Sequence, residues 1–303
     1  MIKDFDELLA RAGRRETKRL VVAAAGDEMV LKAVKHAQER KLIKPVLVGD
    51  RDQIDKNADR VGLDLSRIEV INLPSGPEAC ERAVQLVSSG EGDILMKGMV
   101  ETPIIMKAIL NKEYGLRTGR LISHIAMIES RTLGRLLFVT DGGMNIKPDL
   151  MQKKEIIENA IEIAHELGYE RPRVAILAAI EKVNPDMLET VEAAILAKMG
   201  DRGQIRGGII DGPLAIDNAI SEEAARIKGI NSLVAGRADI LLVPEIVAGN
   251  ILGKSPVYFA GDRIATVIGG TSHPVVLTSR ASTAEIKLIS IAATVLMADN
   301  QNS

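Results

Sequence analysis

Cysteine and aromatic residues are scarce in this chain of 303 residues, which has one cysteine, no tryptophan, three phenylalanines and three tyrosines. A single cysteine excludes an intrachain disulfide framework and any metal site built from several thiolates. The few aromatic rings argue against a surface that stacks nucleic-acid bases, and the net charge of −2 argues against a strongly basic one. We therefore expect no nucleic-acid partner.

Long apolar runs and metal motifs are also lacking. No run approaches the ~20 residues that cross a bilayer, and the charged, helix-like N-terminus (residues 1–7) differs from a signal peptide. We expect a cytoplasmic protein with no membrane partner. Paired cysteines, a His-Glu-x-x-His motif and clustered aspartates are missing, so we predict neither a metal nor a bound cofactor.

The dominant pattern is an alternation of short β-branched runs with longer amphipathic segments. Strands are predicted at 20–25, 45–49, 68–71, 93–96, 173–179, 208–211, 239–243 and 275–278. Helices are predicted at 28–40, 77–89, 149–168, 186–199, 219–228, 245–252 and from near 283 to near 297. This alternation predicts an α/β fold with mostly parallel sheets flanked by helices. Cys80 falls on the apolar side of its helix, which favours a buried thiol.

The middle of the chain departs from this alternation. The strand-like runs 121–128 and 136–140 are separated by only residues 129–135, too few for a helical crossover. We predict that they pair antiparallel.

Three polar clusters in the last hundred residues (211–218, 243–250 and 274–280) lie at or just beyond the ends of predicted strands. In an open α/β sheet, ligands bind outside the carboxyl ends of the strands. The clusters combine small, polar and cationic groups, so we expect an anionic ligand there.

The sharpest of these signals is Ser279-Arg280, which stands between a predicted strand and a predicted helix. Ser282 and Glu285 have the spacing of a capping box, which sets the predicted helix start near residue 283. A helix N-terminus favours anions, and a guanidinium adds bidentate phosphate recognition. The alternative is a surface arginine beside a helix cap.

Other candidate binding residues are weaker. Lys97 follows the strand 93–96 and is either a phosphate contact or a solvated loop lysine. Asp211 precedes the pair Gly212-Pro213, which predicts a tight turn, and Asp211 and Pro213 either line the binding site or serve only the turn. Asn250 is suited to hydrogen-bond a phosphate or an amide, although helix packing explains the small residues beside it equally well.

The histidines carry little signal. His273 ends a glycine-rich loop (269–273) that is able to close over a phosphate, but the loop is neither a dinucleotide fingerprint nor a P-loop. His124 lies in a strand-like run, where a histidine is more often a satisfied core or edge residue than a catalytic one.

Taken together, the three clusters resemble the phosphate acetyl/butyryltransferase family, and its butyryl branch more than its acetyl branch. The resemblance implies a two-domain fold like that of isocitrate and isopropylmalate dehydrogenases, with an active-site cleft between the domains. The predicted domains are 1–139 plus 275–303 and 140–274. The family resemblance also implies a homodimer or a higher homo-oligomer.

The implied reaction is reversible transfer of a short-chain acyl group, butyryl favoured, between coenzyme A and inorganic phosphate. Acyl-CoA, inorganic phosphate and acyl phosphate are then the partners, and coenzyme A is a substrate. The resemblance implies that Ser279 hydrogen-bonds the reacting thiol or the carbonyl oxygen, and that Arg280 holds the acyl phosphate. In the acetyl branch an aspartate in the first turn of the last helix serves as the base.

The sequence departs from that pattern at the base, because the corresponding position is Ile286. The neighbouring carboxylate, Glu285, is either a helix cap or the base. The base otherwise lies elsewhere, or the thiolate enters preformed.

Two other functions remain open at this point. A nicotinamide-dependent hydroxyacid dehydrogenase on a similar fold would need metal-binding aspartates or a dinucleotide site, and the sequence offers neither. A non-catalytic coenzyme A-binding protein would bind the same ligands without turnover.

Overall fold

The computed structural model describes residues 1–300 and shows two compact units. The first unit consists of Phe5–Arg120 and the described residues from Ala265 onward. The second unit consists of Met1–Asp4 and Leu121–Ile264. Within residues 1–300, no helix has both the length and the apolar character needed to cross a membrane.

Strands and helices alternate along most of the chain. The strands are β1 (Lys18–Ala23), β2 (Ile43–Gly49), β3 (Glu69–Asn72), β4 (Ile94–Lys97), β5 (Ser123–Ser130), β6 (Arg135–Thr140), β7 (Arg173–Leu177), β8 (Ile209–Leu214), β9 (Ile240–Leu242), β10 (Arg263–Gly269) and β11 (Val275–Val276). The helices are α1 (Phe5–Ala12), α2 (Glu28–Glu39), α3 (Arg51–Val61), α4 (Gly76–Ser88), α5 (Thr102–Ile109), α6 (Leu150–Glu166), α7 (Leu188–Asp201), α8 (Ile216–Ile220), α9 (Glu222–Ile227), α10 (Ile246–Ser255) and α11 (Ala284–Asn300). A π-helical turn, Pro256–Ala260, follows α10 directly.

In the first unit the strands lie in the order β3-β2-β1-β4-β11-β10. All of these pairs are parallel except β10 with β11. Apart from Lys18, Arg19 and Lys97 at their ends, the inner strands β1 and β4 are apolar, and they are almost fully buried, as expected for a parallel sheet that is covered on both faces. The predicted α/β architecture is confirmed in this unit.

In the second unit the strand order is β5-β6-β9-β7-β8. β5 and β6 pair antiparallel, with Ile125 opposite Thr140, which confirms the prediction for the middle of the chain. The other pairs are parallel. Phe138 packs its ring edge-on against Tyr169 at a centroid distance of 5.3 Å and anchors β6 in the core.

The boundaries of the two units, near residues 120 and 264, differ from the predicted domain boundaries near 139 and 274. The antiparallel pairing of β5 with β6 keeps residues 121–140 together in the second unit. β10, which the sequence pattern did not predict, begins at the end of the second unit and lies mostly in the first.

The predicted turn at Asp211-Gly212-Pro213 is wrong, because all three residues lie inside β8. β8 is the outer strand of its sheet order, where a residue without an N–H is tolerated. The pairing register shifts between Ala175 and Leu177, opposite this segment. The predicted helix 219–228 is likewise two short helices, α8 and α9, that meet at Ser221.

The predicted capping box at the start of α11 is also wrong. Thr283, not Ser282, caps the helix, and its Oγ1 accepts a hydrogen bond of 3.3 Å from the N–H of Ile286. Glu285 is therefore the second helical residue, whereas a capping box requires a carboxylate at the third. Glu285 therefore does not act as the carboxylate of a capping box.

Gly98 fixes the backbone where β4 ends. Its N–H donates to Ala23 O and the N–H of Met99 donates to Ala24 O, both at 2.8 Å. A Cβ atom at position 98 would lie 2.2 Å from Ala24 O and 2.6 Å from Ala23 O. Only glycine allows this close approach, so the end of β4 is locked to the end of β1.

We predict that Gly98→Ala lowers the free energy of unfolding by about 2 kcal/mol or more, because backbone atoms must shift to admit the methyl group. Denaturant unfolding followed by circular dichroism measures the change. Gly76→Ala is the matched control, since Gly76 begins a helix and its added Cβ would lie 3.7 Å from the nearest atom, Val100 Cγ2, an ordinary contact distance. Equal stability of the two variants would contradict the close packing at Gly98.

Candidate active site

A cavity of about 350 Å³ opens where β4 and β11 end in the first unit. These two parallel strands are neighbours, with Val275 opposite Leu95 and Val276 opposite Met96. Their carboxyl ends therefore deliver side chains to one place. The cavity is lined by Lys97, Val100, Glu101, Thr102, Pro103, Thr278, Ser279 and Arg280. Three residues predicted for the site, Lys97, Ser279 and Arg280, are thus brought together.

Arg280 presents a cation without an internal counterion. Its side chain is exposed, and no residue within the described part of the chain accepts a hydrogen bond from its guanidinium. Ser279 beside it is also exposed, and its Oγ accepts a long hydrogen bond of 3.4 Å from the N–H of Ala281. The hydroxyl hydrogen of Ser279 remains free to donate to a ligand.

Lys97 is buried, with 3% of its surface exposed, and it is bound to carbonyl groups rather than to a carboxylate. Its Nζ donates to Gly98 O at 3.2 Å and to Val100 O at 3.0 Å. Burial, followed by the positive charges of Lys287 and Arg280, lowers the pKa of Lys97 from its ordinary 10.5 to about 8. The structure thus rules out the alternative of a solvated loop lysine.

Lys287 is a site residue that the sequence analysis missed. It is 2% exposed, and its Nζ donates to Ser279 O at 3.3 Å and to Ser282 O at 2.8 Å. Burial lowers its pKa, while the carboxylate of Asp27 opposes the shift. The sequence does contain a signal for this role, because Lys287 is a lone lysine on the otherwise apolar face of the first turns of α11. Lys287 fixes the loop that carries Ser279 and Arg280.

Two further groups make the cavity suitable for an anion. The N-terminus of α5, at Thr102 and Pro103, forms part of its wall, and free N–H groups at a helix start favour negative charge. The hydroxyl of Thr278 is buried and has no hydrogen-bond partner. A buried hydroxyl without a partner is costly unless a ligand or water satisfies it.

Asp27 brings negative charge to the adjoining crevice, which it lines together with Lys97, Arg280 and Lys287. Its Oδ1 already accepts the N–H of Val30 as the cap of α2. It forms no ion pair with either lysine, and the positive charges of Arg280 and Lys287 outweigh its single negative charge.

Two predicted site residues of the first unit, the binding residue His273 and the catalytic residue Glu285, lie away from the cavity lining. His273 precedes β11, at the amino end of the strands, whereas Lys97 and Arg280 lie at the carboxyl end. Burial lowers the pKa of His273, opposed by the charge of Asp93. Glu285 is exposed in the first turn of α11 and is not a lining residue. Their predicted roles gain no support from their positions.

The remaining predicted residues, Asp211, Pro213 and Asn250, belong to the second unit. The Asp211 Oδ1 accepts the N–H of Gly212 at 2.8 Å, inside β8. Asn250 is exposed on α10, and its Nδ2 donates to Gly142 O at 3.3 Å. Their binding roles stay predictions.

A polar loop after β6 was not predicted either. Asp141 accepts hydrogen bonds from the backbone N–H groups of His124, Gly143, Met144 and Asn145 and from the Asn145 side chain. The Nδ1 of His124 is buried without a partner, so the expected satisfied core histidine is not found. Burial lowers the pKa of His124. Among residues 1–300, no cluster of His, Cys, Asp and Glu has the arrangement of a metal site.

Comparisons with known proteins give consistent matches. A family model described as phosphate acetyl/butaryl transferase matches residues 4–85 and 78–295. A phosphate butyryltransferase of Clostridium beijerinckii is 49% identical over 98% of this chain and 99% of its own. A phosphate acetyltransferase of Thermotoga maritima is 45% identical over 97% of this chain and 100% of its own.

A solved structure agrees with these matches. The crystal structure of a branched-chain phosphotransacylase from Enterococcus faecalis is similar with a TM-score of 0.82 and 31% sequence identity. The similarity covers 93% of this chain and 99% of that one. The α/β fold class predicted from the sequence is confirmed by this likeness.

We predict that Lys97→Met removes a pH-dependent cost of folding. Below about pH 8 the buried ammonium destabilises the native state, and the cost disappears as pH rises toward 10.5, because the unfolded chain then binds more protons than the native one. The stability of the native chain relative to Lys97→Met should therefore rise by about 3 kcal/mol over this window.

Denaturant unfolding at a series of pH values measures this difference. Lys35→Met is the control, because the Nζ of Lys35 also donates to a backbone carbonyl, that of Val61, but lies outside the cavity lining. A constant difference between the native chain and Lys97→Met at all pH values would contradict the prediction.

Proposed function

The chain belongs to the phosphate acetyl/butyryltransferase family, and we propose that it transfers a short-chain acyl group, butyryl by preference, between coenzyme A and inorganic phosphate. The observation that carries the proposal is the cationic cavity at the ends of β4 and β11. Arg280, Lys97 and the start of α5 form a site for a phosphoryl group, and Glu101, the carboxylate in the lining, forms no ion pair with either of these cations.

The reaction needs a site for the phosphoryl group and a donor to the carbonyl oxygen. In the direction of thioester formation, the coenzyme A sulfur attacks the carbonyl carbon of the acyl phosphate. The C–S bond forms, and the C–O bond to phosphate breaks with its electron pair leaving on phosphate. Positive charge around the departing phosphate lowers the barrier, and preorganised electrostatic stabilisation is usually the largest catalytic contribution.

Arg280 is suited to hold the phosphoryl group because its guanidinium is exposed and always charged. The Ser279 hydroxyl is suited to donate to the carbonyl oxygen, where negative charge develops. Lys287 supports both residues indirectly, by binding the carbonyl oxygens of Ser279 and Ser282. Because both substrates react within one site, orientation accounts for much of the acceleration.

The choice of acyl group is the finer part of the proposal. The relative from C. beijerinckii is named for butyrate and the one from T. maritima for acetate, and their identities to this chain are 49% and 45%. These values favour butyryl by a small margin. Acyl phosphate, acyl-CoA and phosphate are the proposed partners, and a cytoplasmic location belongs to the same proposal.

We predict that Arg280→Ala lowers kcat/KM for butyryl-CoA and phosphate by about 10²-fold or more, as expected for loss of a charged group that stabilises the transition state. Arg280→Lys should recover part of this loss, because it restores the charge but not the bidentate geometry. Thiol released from acetyl-, butyryl- and longer acyl-CoA, with and without phosphate, measures the rates.

Arg51→Ala is the matched control, because Arg51 is an exposed arginine paired with Asp55 on α3, away from the cavity. The proposed function is wrong if the native chain releases no thiol in a phosphate-dependent manner from any acyl-CoA. The series of acyl chains also decides between butyryl and acetyl.

The homo-oligomer expected from the family has a candidate surface on the second unit. Val247 and Ile251 share one face of α10 and are 57% and 61% exposed. The π-helical turn that follows carries Tyr258 and Phe259, which are 75% and 89% exposed. Contiguous apolar patches of this kind are uncommon on monomers. We infer that a second copy of the chain covers this patch.

We predict that Tyr258→Ser combined with Phe259→Ser shifts the protein from dimer to monomer, because it removes the most exposed apolar side chains of the patch. Sedimentation velocity at several concentrations measures the molecular mass. Ile227→Ser is the control, since Ile227 is 75% exposed at the end of α9 and lies outside the patch. A native chain that sediments as a monomer would contradict the inference.

A further inference from the structure

The proposed reaction needs a group that accepts the thiol proton, and the structure offers one at the cavity. Ile286 stands at the position where the family resemblance implies a carboxylate base, and Glu285 is exposed outside the cavity lining. Within the described part of the chain, the only carboxylate that lines the 350 Å³ cavity is that of Glu101, at the start of α5. Lys97 is the buried titratable group at the same place.

Lys97 is held in a manner that suits a neutral amine. An ammonium group has three N–H donors, whereas a neutral amine has two donors and one lone pair. The Nζ of Lys97 donates to two carbonyl oxygens, those of Gly98 and Val100. No described residue accepts a third hydrogen bond from it. The neutral amine therefore satisfies both carbonyls and keeps its lone pair for the cavity.

The surroundings of Lys97 favour this neutral form. Positive charge reaches it from Lys287 on α11 and from Arg280 in the loop before α11, and both disfavour a further cation. Cys80 on α4 and Asp27 before α2 raise the pKa of Lys97, but their effect is weaker than that of burial. Burial lowers the pKa of Lys97 to about 8, close to that of an ordinary thiol.

We propose that Lys97 is the general base of the acyl transfer and takes the proton from the coenzyme A thiol, an inference that rests on the proposed function. In the direction of thioester formation, the thiol proton passes to Nζ, which becomes an ammonium. The thiolate then forms the C–S bond, and the C–O bond to phosphate breaks.

In the second half of the reaction, the proton held by Lys97 passes to the departing phosphate. The departing phosphate would leave as a trianion, and the Lys97 ammonium returns the proton to it. The products are acyl-CoA and monohydrogen phosphate, and Lys97 is neutral again, so atoms and charge balance. In the reverse direction the same residue takes the phosphate proton and delivers it to the thiolate.

The first test compares Lys97→Arg with Lys35→Arg, both checked for folding by thermal unfolding. Arginine keeps the positive charge but is never deprotonated in proteins. With butyryl phosphate and coenzyme A, Lys97→Arg should lower kcat by about 10²-fold or more, the usual contribution of a general base. The KM for butyryl phosphate should not rise, because Arg280 and the start of α5 are unchanged and position 97 then carries a positive charge. Lys35→Arg should keep the native rate.

The second test is chemical rescue of Lys97→Ala by primary amines of similar size and different basicity, ethylamine and 2-fluoroethylamine. If Lys97 is a base, the rescued rate follows the concentration of free amine as pH is varied, and it depends on amine basicity. If Lys97 only supplies charge, the rescue follows the ammonium form instead, and the inference is overturned.

The outcomes separate this inference from the proposed function. A native chain without phosphate-dependent thiol release overturns both. An active native chain with a Lys97→Arg variant within threefold of its kcat and with the same pH profile overturns the inference alone. Loss of the acid limb of the pH profile in Glu285→Gln, with Lys97→Arg unaffected, overturns the inference and assigns the base to Glu285.

Discussion

The candidate site depends on two buried lysines that bind backbone carbonyl groups instead of carboxylates. Lys97 is held by the loop after β4, and Lys287 holds the loop after β11. A buried lysine paired with a carboxylate would bring neutralising charge with it. Carbonyl dipoles fix the same side chain in place and leave its charge, or its lone pair, available. The positive field that an acyl phosphate requires is therefore built from backbone geometry.

This arrangement connects the strand ends to the chemistry. Gly98 locks the end of β4 to the end of β1, and the same turn supplies one of the two carbonyls that hold Lys97. On the neighbouring strand end, Arg280 and Ser279 remain exposed because Lys287 binds the backbone beside them rather than their side chains. Gly98 and Lys287, which are not proposed to contact substrate, thus position the residues that are.

The sequence predicted the parallel α/β units and the strand ends at Lys97 and Ser279-Arg280, because hydrophobic periodicity and local spacing determine these features. Lys287 was missed because it interrupts an apolar helix face, and such an interruption is equally typical of a surface residue. The role of Gly98 was invisible because it depends on β1, about seventy residues earlier in the chain. The turn at Gly212-Pro213 was misjudged since only the sheet order shows that β8 lies at an edge. The roles of Asp211, Pro213, Asn250 and His273 stay predictions.

The unpartnered hydroxyl of Thr278 has a consequence for anion selectivity. Cations alone attract any tetrahedral dianion, and sulfate has the same charge and nearly the same shape as monohydrogen phosphate. The two differ in one respect, since only phosphate carries an O–H group near neutral pH. A hydroxyl group is able to donate to an oxygen of either ion, but only phosphate is able to return a hydrogen bond to the hydroxyl oxygen. The unpartnered Oγ1 of Thr278 is therefore able to form one more hydrogen bond with monohydrogen phosphate than with sulfate, a difference that does not depend on the charge of the ion.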